Sequence, residues 1–274
     1  MKSAVTISLV PEVKGGPFVF WDGLESGCRH AGGLGFDAVE IFPPSADALN
    51  VKEIQSLVSS HGLRVAAIGS GAGWVKHKLR LTDPDVVIRR AARKFIGDLI
   101  AAAGELGAPV IIGSMQGRTD MGRNRAEVIC WLEEALVELG NLAARKGQVL
   151  LYEALNRYET DIFTRQSEAA AFIRGIHATH LRLLCDLFHM NIEEKCMAET
   201  LVEVGPLIGH VHWADSNRQA MGWGHSDAGA IVKALRLVGY TGYLSAEVFP
   251  LPDSLAAAQQ SLESFRRWVS PALS

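Results

Sequence analysis

Residues 182–212 open with Arg182-Leu183-Leu184-Cys185-Asp186, continue through an amphipathic stretch, and close with Ile208-Gly209-His210-Val211-His212. Both quoted runs are short and apolar, and each ends on a side chain that can hold a metal ion or move a proton. A strand, a helical stretch and a second strand in that order form the unit of a parallel sheet, because parallel neighbours need a crossover between them.

Working outward, the same alternation repeats along the chain. Strands are expected at Val5–Val10, Ala38–Phe42, Arg64–Ile68, Pro109–Gly113, Val149–Glu153, Arg182–Asp186, Ile208–His212 and Tyr243–Glu247. Between them, Thr82-Asp83-Pro84 offers a cap with proline at the first helical position, followed by helical apolar spacing to Leu106 and a stop at Gly107. Helices are also expected from Arg125 to Ala144 and from Asp227 to Val238, with Trp131 and Trp268 read as core residues. Eight βα units predict an α/β chain folded as a (β/α)8 barrel, a TIM barrel, which needs about 250 residues. No linker, charge block or low-complexity segment interrupts the 274 residues, so residues 1–274 are read as one domain.

Composition excludes several function classes. Hydrophobic residues make up 48% and charged residues 21%, as in ordinary globular proteins, and the net charge of -3 supplies no field for a polyanion such as nucleic acid. No run of apolar residues is long enough to span a bilayer, and the N-terminal run Met1 to Val10 reads as a strand rather than a signal peptide. Cys28, Cys130, Cys185 and Cys196 are scattered, with no CxxC pair, which fits reduced thiols in a cytoplasmic protein.

The chemistry concentrates at four strand ends. Glu153, Asp186, His212 and Glu247 are spaced by 33, 26 and 35 residues, about one βα unit each time. In a parallel barrel the C-terminal strand ends converge on one mouth, so these residues become neighbours. Three carboxylates crowded there would repel one another and protonate, whereas a divalent cation removes that penalty. The competing reading makes each acid the N-cap of the next helix, a role common for Asp but poor for Glu, and one that leaves His212 unexplained. Three carboxylates and one imidazole suit a single Mn²⁺, with Mg²⁺ or Co²⁺ as alternatives and Zn²⁺ less favoured. His210 shares the strand face of His212 and is expected to be a hydrogen-bonded interior histidine rather than a fifth ligand.

Loops at the same mouth carry Asn156, Arg157 and Glu159, then His189 and Asn191, then Asp215, Asn217 and Arg218. His189, Arg218 and Glu159 are candidates for gripping a small sugar. Gly69-Ser70-Gly71-Ala72-Gly73 is expected to be a flexible loop, and no capped helix opens behind it as a dinucleotide fingerprint would require.

Leu155-Asn156-Arg157-Tyr158-Glu159, Cys185 to Glu194, Gly209-His210-Val211-His212 with Asn217-Arg218, and Glu247-Val248-Phe249-Pro250 resemble the ketose 3-epimerases of the D-tagatose/D-psicose type. Those enzymes belong to the xylose-isomerase-like barrel superfamily of sugar phosphate isomerases and epimerases. The likeness spans residues 147–250; before that it is the barrel pattern alone. It implies a metal on Glu153, Asp186, His212 and Glu247, sugar contacts from His189, Arg218 and Glu159, and assembly as a homodimer or tetramer.

The expected function is metal-dependent epimerisation of a ketose through an enediolate, with Glu153 and Glu247 as the acid/base pair. Three alternatives keep the site and change the substrate: a phosphorylated sugar, hydroxypyruvate or a cyclitol ketone. The phosphate version would use Gly222-Trp223-Gly224 with Arg118 or Arg123. An abasic-site endonuclease of the same superfamily would need further histidines after strands three and four, where Ile68-Gly69-Ser70 and Ile112-Gly113-Ser114 offer none. A non-catalytic sugar-binding barrel is the remaining reading.

Overall fold

The structure, a computed structural model, describes residues 1–119, 124–176, 178 and 180–269. Eight parallel strands close into a barrel in sequence order. They are β1 (Lys2–Ser8), β2 (Ala38–Phe42), β3 (Arg64–Gly69), β4 (Val110–Ile112), β5 (Leu150–Glu153), β6 (Leu181–Asp186), β7 (Ile208–His212) and β8 (Tyr243–Ala246). Around them lie α1 (Leu24–Leu34), α2 (Val51–Ser60), α3 (Ala72–Val75), α4 (Val86–Glu105), α5 (Arg125–Arg145), α6 (Gln166–Gly175), α7 (Leu187–Glu193), α8 (Met197–Val204), α9 (Ala228–Leu237) and α10 (Ser254–Val269). The expected barrel is therefore observed. None of the described helices is long and apolar enough to cross a membrane.

Strand parity decides which residues work and which pack. Val39 and Ile41 of β2, Leu150 and Tyr152 of β5, Leu183 and Cys185 of β6 and Val211 of β7 join one large apolar cluster with the helices. Their alternate neighbours Ala38, Leu151 and Leu184 belong to two small clusters apart from it, with Ala4, Ala66, Ala67 and Ile111. Glu40, Glu153, Asp186, His210 and His212 share that second parity and face the barrel interior. The register also shifts at two of these places, between Val39 and Glu40 on β2 and at Gly209 on β7. Such bulges re-aim side chains. A side chain at Gly209 would collide with Arg182 Cβ at 2.6 Å, so glycine alone lets β7 approach there.

Helix starts follow side-chain capping. Asn50, Asp85, Asn124, Asp186 and Asp227 each accept a backbone N–H at the first turn of α2, α4, α5, α7 and α9. The α4 cap differs from the expected Thr82-Asp83-Pro84: Asp83 is held by Arg80 and accepts from the Asp85 amide, which moves the cap to Asp85. Trp268 also departs from expectation. It is 37% exposed, with the Arg267 guanidinium 5.2 Å from its ring. Trp131 is partly buried beneath Arg89, 4.1 Å from its ring centre.

Candidate metal centre

The four strand-end residues meet. Ligand atoms of Glu153, Asp186, His212 and Glu247 all lie within 4.8 Å of one another. Glu153, Asp186 and His212 end their strands, while Glu247 stands one residue beyond β8. His212 Nδ1 is 3.5 Å from Glu153 Oε1, 3.5 Å from Asp186 Oδ2 and 3.5 Å from Glu247 Oε2. That spacing is too long for a hydrogen bond. It matches the roughly 3 to 3.5 Å separating two ligands that sit about 2.1 Å from one cation.

Two further observations test the fit. Asp186 Oδ2 and His212 Nδ1 are fully buried and have no hydrogen-bond partner. Orphaned polar atoms at the centre of a cluster imply a group that satisfies them. Asp186 also resolves the cap alternative: its Oδ1 accepts from Phe188 N at 2.8 Å while its Oδ2 faces the centre. Capping with Oδ1 therefore leaves Oδ2 available as a ligand atom. On charge, Arg218 is the fixed cation of this cluster among the described residues, set against the largely buried carboxylates of Glu40, Glu153, Asp186 and Glu247. The donor set and its geometry fit a divalent ion.

Burial pushes the Glu153 carboxyl up to about 7, with the Glu247 and Asp186 charges adding to the rise and His212 opposing it. Burial raises Glu247 as well, against the attraction of His212 and Arg218. Burial acts against charging His212 too, yet Glu247 and Glu40 hold it well above the ordinary imidazole range. Asp186, despite its burial, is held low by His189, His212 and Arg218.

The expected sugar contacts surround this centre. Asn156 Nδ2 donates to His189 Nδ1 at 2.8 Å, so the proton of a neutral His189 sits on Nε2. That nitrogen is buried, has no partner, and lies 3.5 Å from Asp186 Oδ2. Burial lowers the His189 pKa, against the pull of the Asp186 carboxylate. Arg218 donates from Nη2 to Glu247 Oε2 at 2.8 Å, reaches Glu159 at 3.5 Å from Nη1, and lies over the Phe188 ring. Its φ of 58° is unusual for a residue with a side chain and is fixed by bonds from Arg218 N to Asp215 O and from Phe249 N to Arg218 O.

Other loop residues do different work. Arg157 turns outward and binds Glu193 at 2.9 Å. Asp215 accepts from the backbone of Ser216, Gly222, Gly224 and Ser226, and the Trp223 amide donates to Ala220 O, so none of the three Gly222-Trp223-Gly224 amides is offered to phosphate. Arg118 donates to Tyr158 O at 3.0 Å, and Arg123 lies outside the described residues.

The sequence reading missed Glu40 and Gly113. Glu40 sits at the same barrel level and bonds both histidines of β7. Its signal was an acid in mid-strand within Ala38-Val39-Glu40-Ile41-Phe42. At Gly113, the residue after β4, a Cβ would overlap Glu153 Oε2, so the bare backbone there leaves room for the carboxylate where it now stands. Gly113→Ala should lower turnover about 10²-fold, the scale of an ångström-sized misplacement at a reacting group, with an unchanged circular dichroism spectrum. Unaltered kinetics would show that Glu153 does not need this cradle.

The centre floors a cavity of about 600 Å³, within the size range of small-molecule sites. Phe18, Phe42 and Trp74 line its other side. Gly69 and Gly71 are not a loose loop: the Phe42 ring packs against them, 2.7 Å and 2.9 Å from where a Cβ would stand.

Several known proteins resemble this chain. An L-ribulose 3-epimerase of Methylomonas sp. (strain DH-1) is 30% identical over 86% of this chain and 84% of its own length. A D-psicose 3-epimerase of Enterocloster bolteae is 31% identical over 79% of this chain and 73% of its own. The crystal structure of a 3-keto-D-glucoside 4-epimerase from E. coli superposes with a TM-score of 0.83 at 25% identity, covering 97% of this chain and 100% of that one. The family described as xylose isomerase-like TIM barrel matches residues 28–268. With the closed eight-strand barrel already in view, this match establishes that the chain belongs to the xylose isomerase-like TIM barrel family.

Proposed function

We propose that the protein is a divalent-metal-dependent sugar epimerase, a ketose 3-epimerase working through an enediolate with Glu153 and Glu247 as acid and base. The observation that carries the proposal is the environment of His212: Nδ1 lies 3.5 Å from three carboxylates and is orphaned, while Nε2 is tied to Glu40. Glu153, Asp186, His212 and Glu247 would hold the ion, with Mn²⁺ best suited to this oxygen-rich set. A bound divalent cation supplies Lewis-acid stabilisation of negative charge developing on substrate oxygens.

The chain's own residues supply the proton chemistry. One glutamate takes the C–H proton beside the ketone, the electron pair moves into the new C=C bond, and the carbonyl oxygen gains the charge. The other glutamate, in its acid form, returns a proton to the opposite face. Burial raises both carboxyls and so favours the acid form that the returning glutamate needs, while a bound cation would favour the base form of the other. His189 Nε2–H and the Arg218 guanidinium donate to sugar oxygens, and Glu159 accepts from a hydroxyl. An unphosphorylated substrate is favoured because the Gly222 and Gly224 amides are already used by Asp215 and the Trp223 amide by Ala220 O. A cytoplasmic location fits the four unpaired cysteines, and assembly as a dimer or tetramer is carried over from the family resemblance.

The test incubates free and phosphorylated ketoses, together with 3-keto hexosides, in D₂O with Mn²⁺, and reads them by NMR after metal removal. Deuterium should enter one carbon with inversion there, and inorganic phosphate should not compete. A metal-loaded protein that exchanges no carbon-bound proton in any of these sugars would end the proposal.

A further inference from the structure

Glu40 has no part in the proton transfers, yet it is 4% exposed at the middle of β2 in the barrel interior. Its Oε2 lies 2.7 Å from His210 Nε2 and its Oε1 lies 3.1 Å from His212 Nε2. The two imidazoles are edge to face, their planes 87° apart, and one carboxylate spans both.

Glu40, His210 and His212 could themselves be taken for a second metal cluster. Distances argue otherwise. The contact of 2.7 Å is a charge-assisted hydrogen bond, shorter than two ligands on a shared ion would stand. On the other side of the same His212 ring the separations are 3.5 Å, longer than hydrogen bonds and in the range of ligands about one ion. The two nitrogens of His212 therefore have different tasks. A proton on Nε2, given to Glu40, leaves Nδ1 as the nitrogen that would turn its lone pair to a cation held with Glu153, Asp186 and Glu247.

We propose that Glu40 is the positioning residue of the metal centre: it fixes the tautomer and ring orientation of His212, and His210 secures its second oxygen. A ligating histidine commonly donates its other N–H to a carboxylate, which orients the ring and strengthens the ligand. The register shift beside Glu40 and the bare backbone at Gly209 bring the carboxylate and the two rings to one level. The inference rests on the metal-dependent reading of the site. A carboxylate needed only to satisfy buried imidazole donors would act on fold stability and leave the metal affinity of the folded protein alone.

The experiment strips the protein with EDTA and titrates Mn²⁺ into wild type and Glu40→Gln, with calorimetry for affinity and electron paramagnetic resonance for free Mn²⁺. Glutamine has nearly the same shape but one acceptor oxygen, so it cannot accept from both rings. Mn²⁺ affinity should fall about 10- to 100-fold, the usual cost of losing an outer partner of a ligand. The Tm of the stripped variant should fall by no more than the few degrees that one orphaned imidazole N–H costs, and excess Mn²⁺ should restore kcat to within a few-fold. His210→Gln leaves the Glu40 to His212 bond in place and should weaken Mn²⁺ binding by less than Glu40→Gln does. Wild-type Mn²⁺ affinity in Glu40→Gln overturns the inference; if that variant does not fold, wild-type affinity in His210→Gln does so instead. A wild-type protein that binds no Mn²⁺ would bring down the metal reading itself, a separate failure.

Discussion

Glu153→Gln and Glu247→Gln should each lower turnover at least about 10²-fold at saturating Mn²⁺, the scale of lost general acid–base catalysis. The substitution keeps size and shape and removes the ability to take or give a proton. It also takes a negative charge from beside His212, which stands 3.5 Å from both carboxylates, so Mn²⁺ affinity should fall too. Saturation with metal separates these two effects. The two variants should also differ in a way that loss of metal cannot imitate. A two-base mechanism leaves each variant one working glutamate. Each should therefore still exchange the proton of one epimer with solvent deuterium without inverting it, and the two variants should select opposite epimers. Near-native turnover in either, or equal loss of exchange from both epimers at saturating metal, would remove the glutamate pair from the chemistry.

The strands carrying the site were legible because each one is a short apolar run with its working residue at the end. Asp186 and His212 close β6 and β7 where expected. The first strand was read as Val5–Val10 but runs Lys2–Ser8, since Lys2 pairs with Tyr243 of β8 and closes the barrel, a long-range pairing with no local signature. Glu40 escaped notice for a related reason. An acid in mid-strand resembles a surface position of an edge strand, and only barrel closure, through β1 and β8, puts β2 within reach of the histidines of β7. The cap of α4 turned on Arg80 taking Asp83, a competition between two nearby aspartates that spacing cannot decide. Gly222-Trp223-Gly224 has the sequence of a phosphate cradle, but Asp215 holds its two glycine amides and Ala220 O the third. Glycine announces free N–H groups, but not what already occupies them.

Removing and restoring metal should expose the same electrostatics as stability. Burial and like charge raise Glu153 to about 7, far above its unfolded value near 4.3. The fold thus favours its protonated form, and that contribution is fully present below about pH 4.3 and lost as pH rises through about 7. His212, also raised, loses its contribution as pH climbs above the ordinary imidazole range. Asp186 is depressed and works in the other direction, its contribution fading only in strong acid. His189, lowered by burial, gains with rising pH and partly offsets the first two. The cleanest measurement is therefore the shift in Tm on adding Mn²⁺ to EDTA-stripped protein, followed from pH 5 to pH 8. Metal binding must displace the protons on Glu153 and His212, so the shift should be small at pH 5 and grow towards pH 8. At about 100 times Kd, linkage gives about 2.7 kcal/mol. For a chain of this size that corresponds to a rise in Tm of about 5 °C. Calorimetry in buffers of different ionisation enthalpy should show the displaced protons near neutral pH. An equal Tm shift at both ends of the pH range would mean that the cation does not compete with those protons, and no shift in excess Mn²⁺ would mean that the four residues meet for another reason.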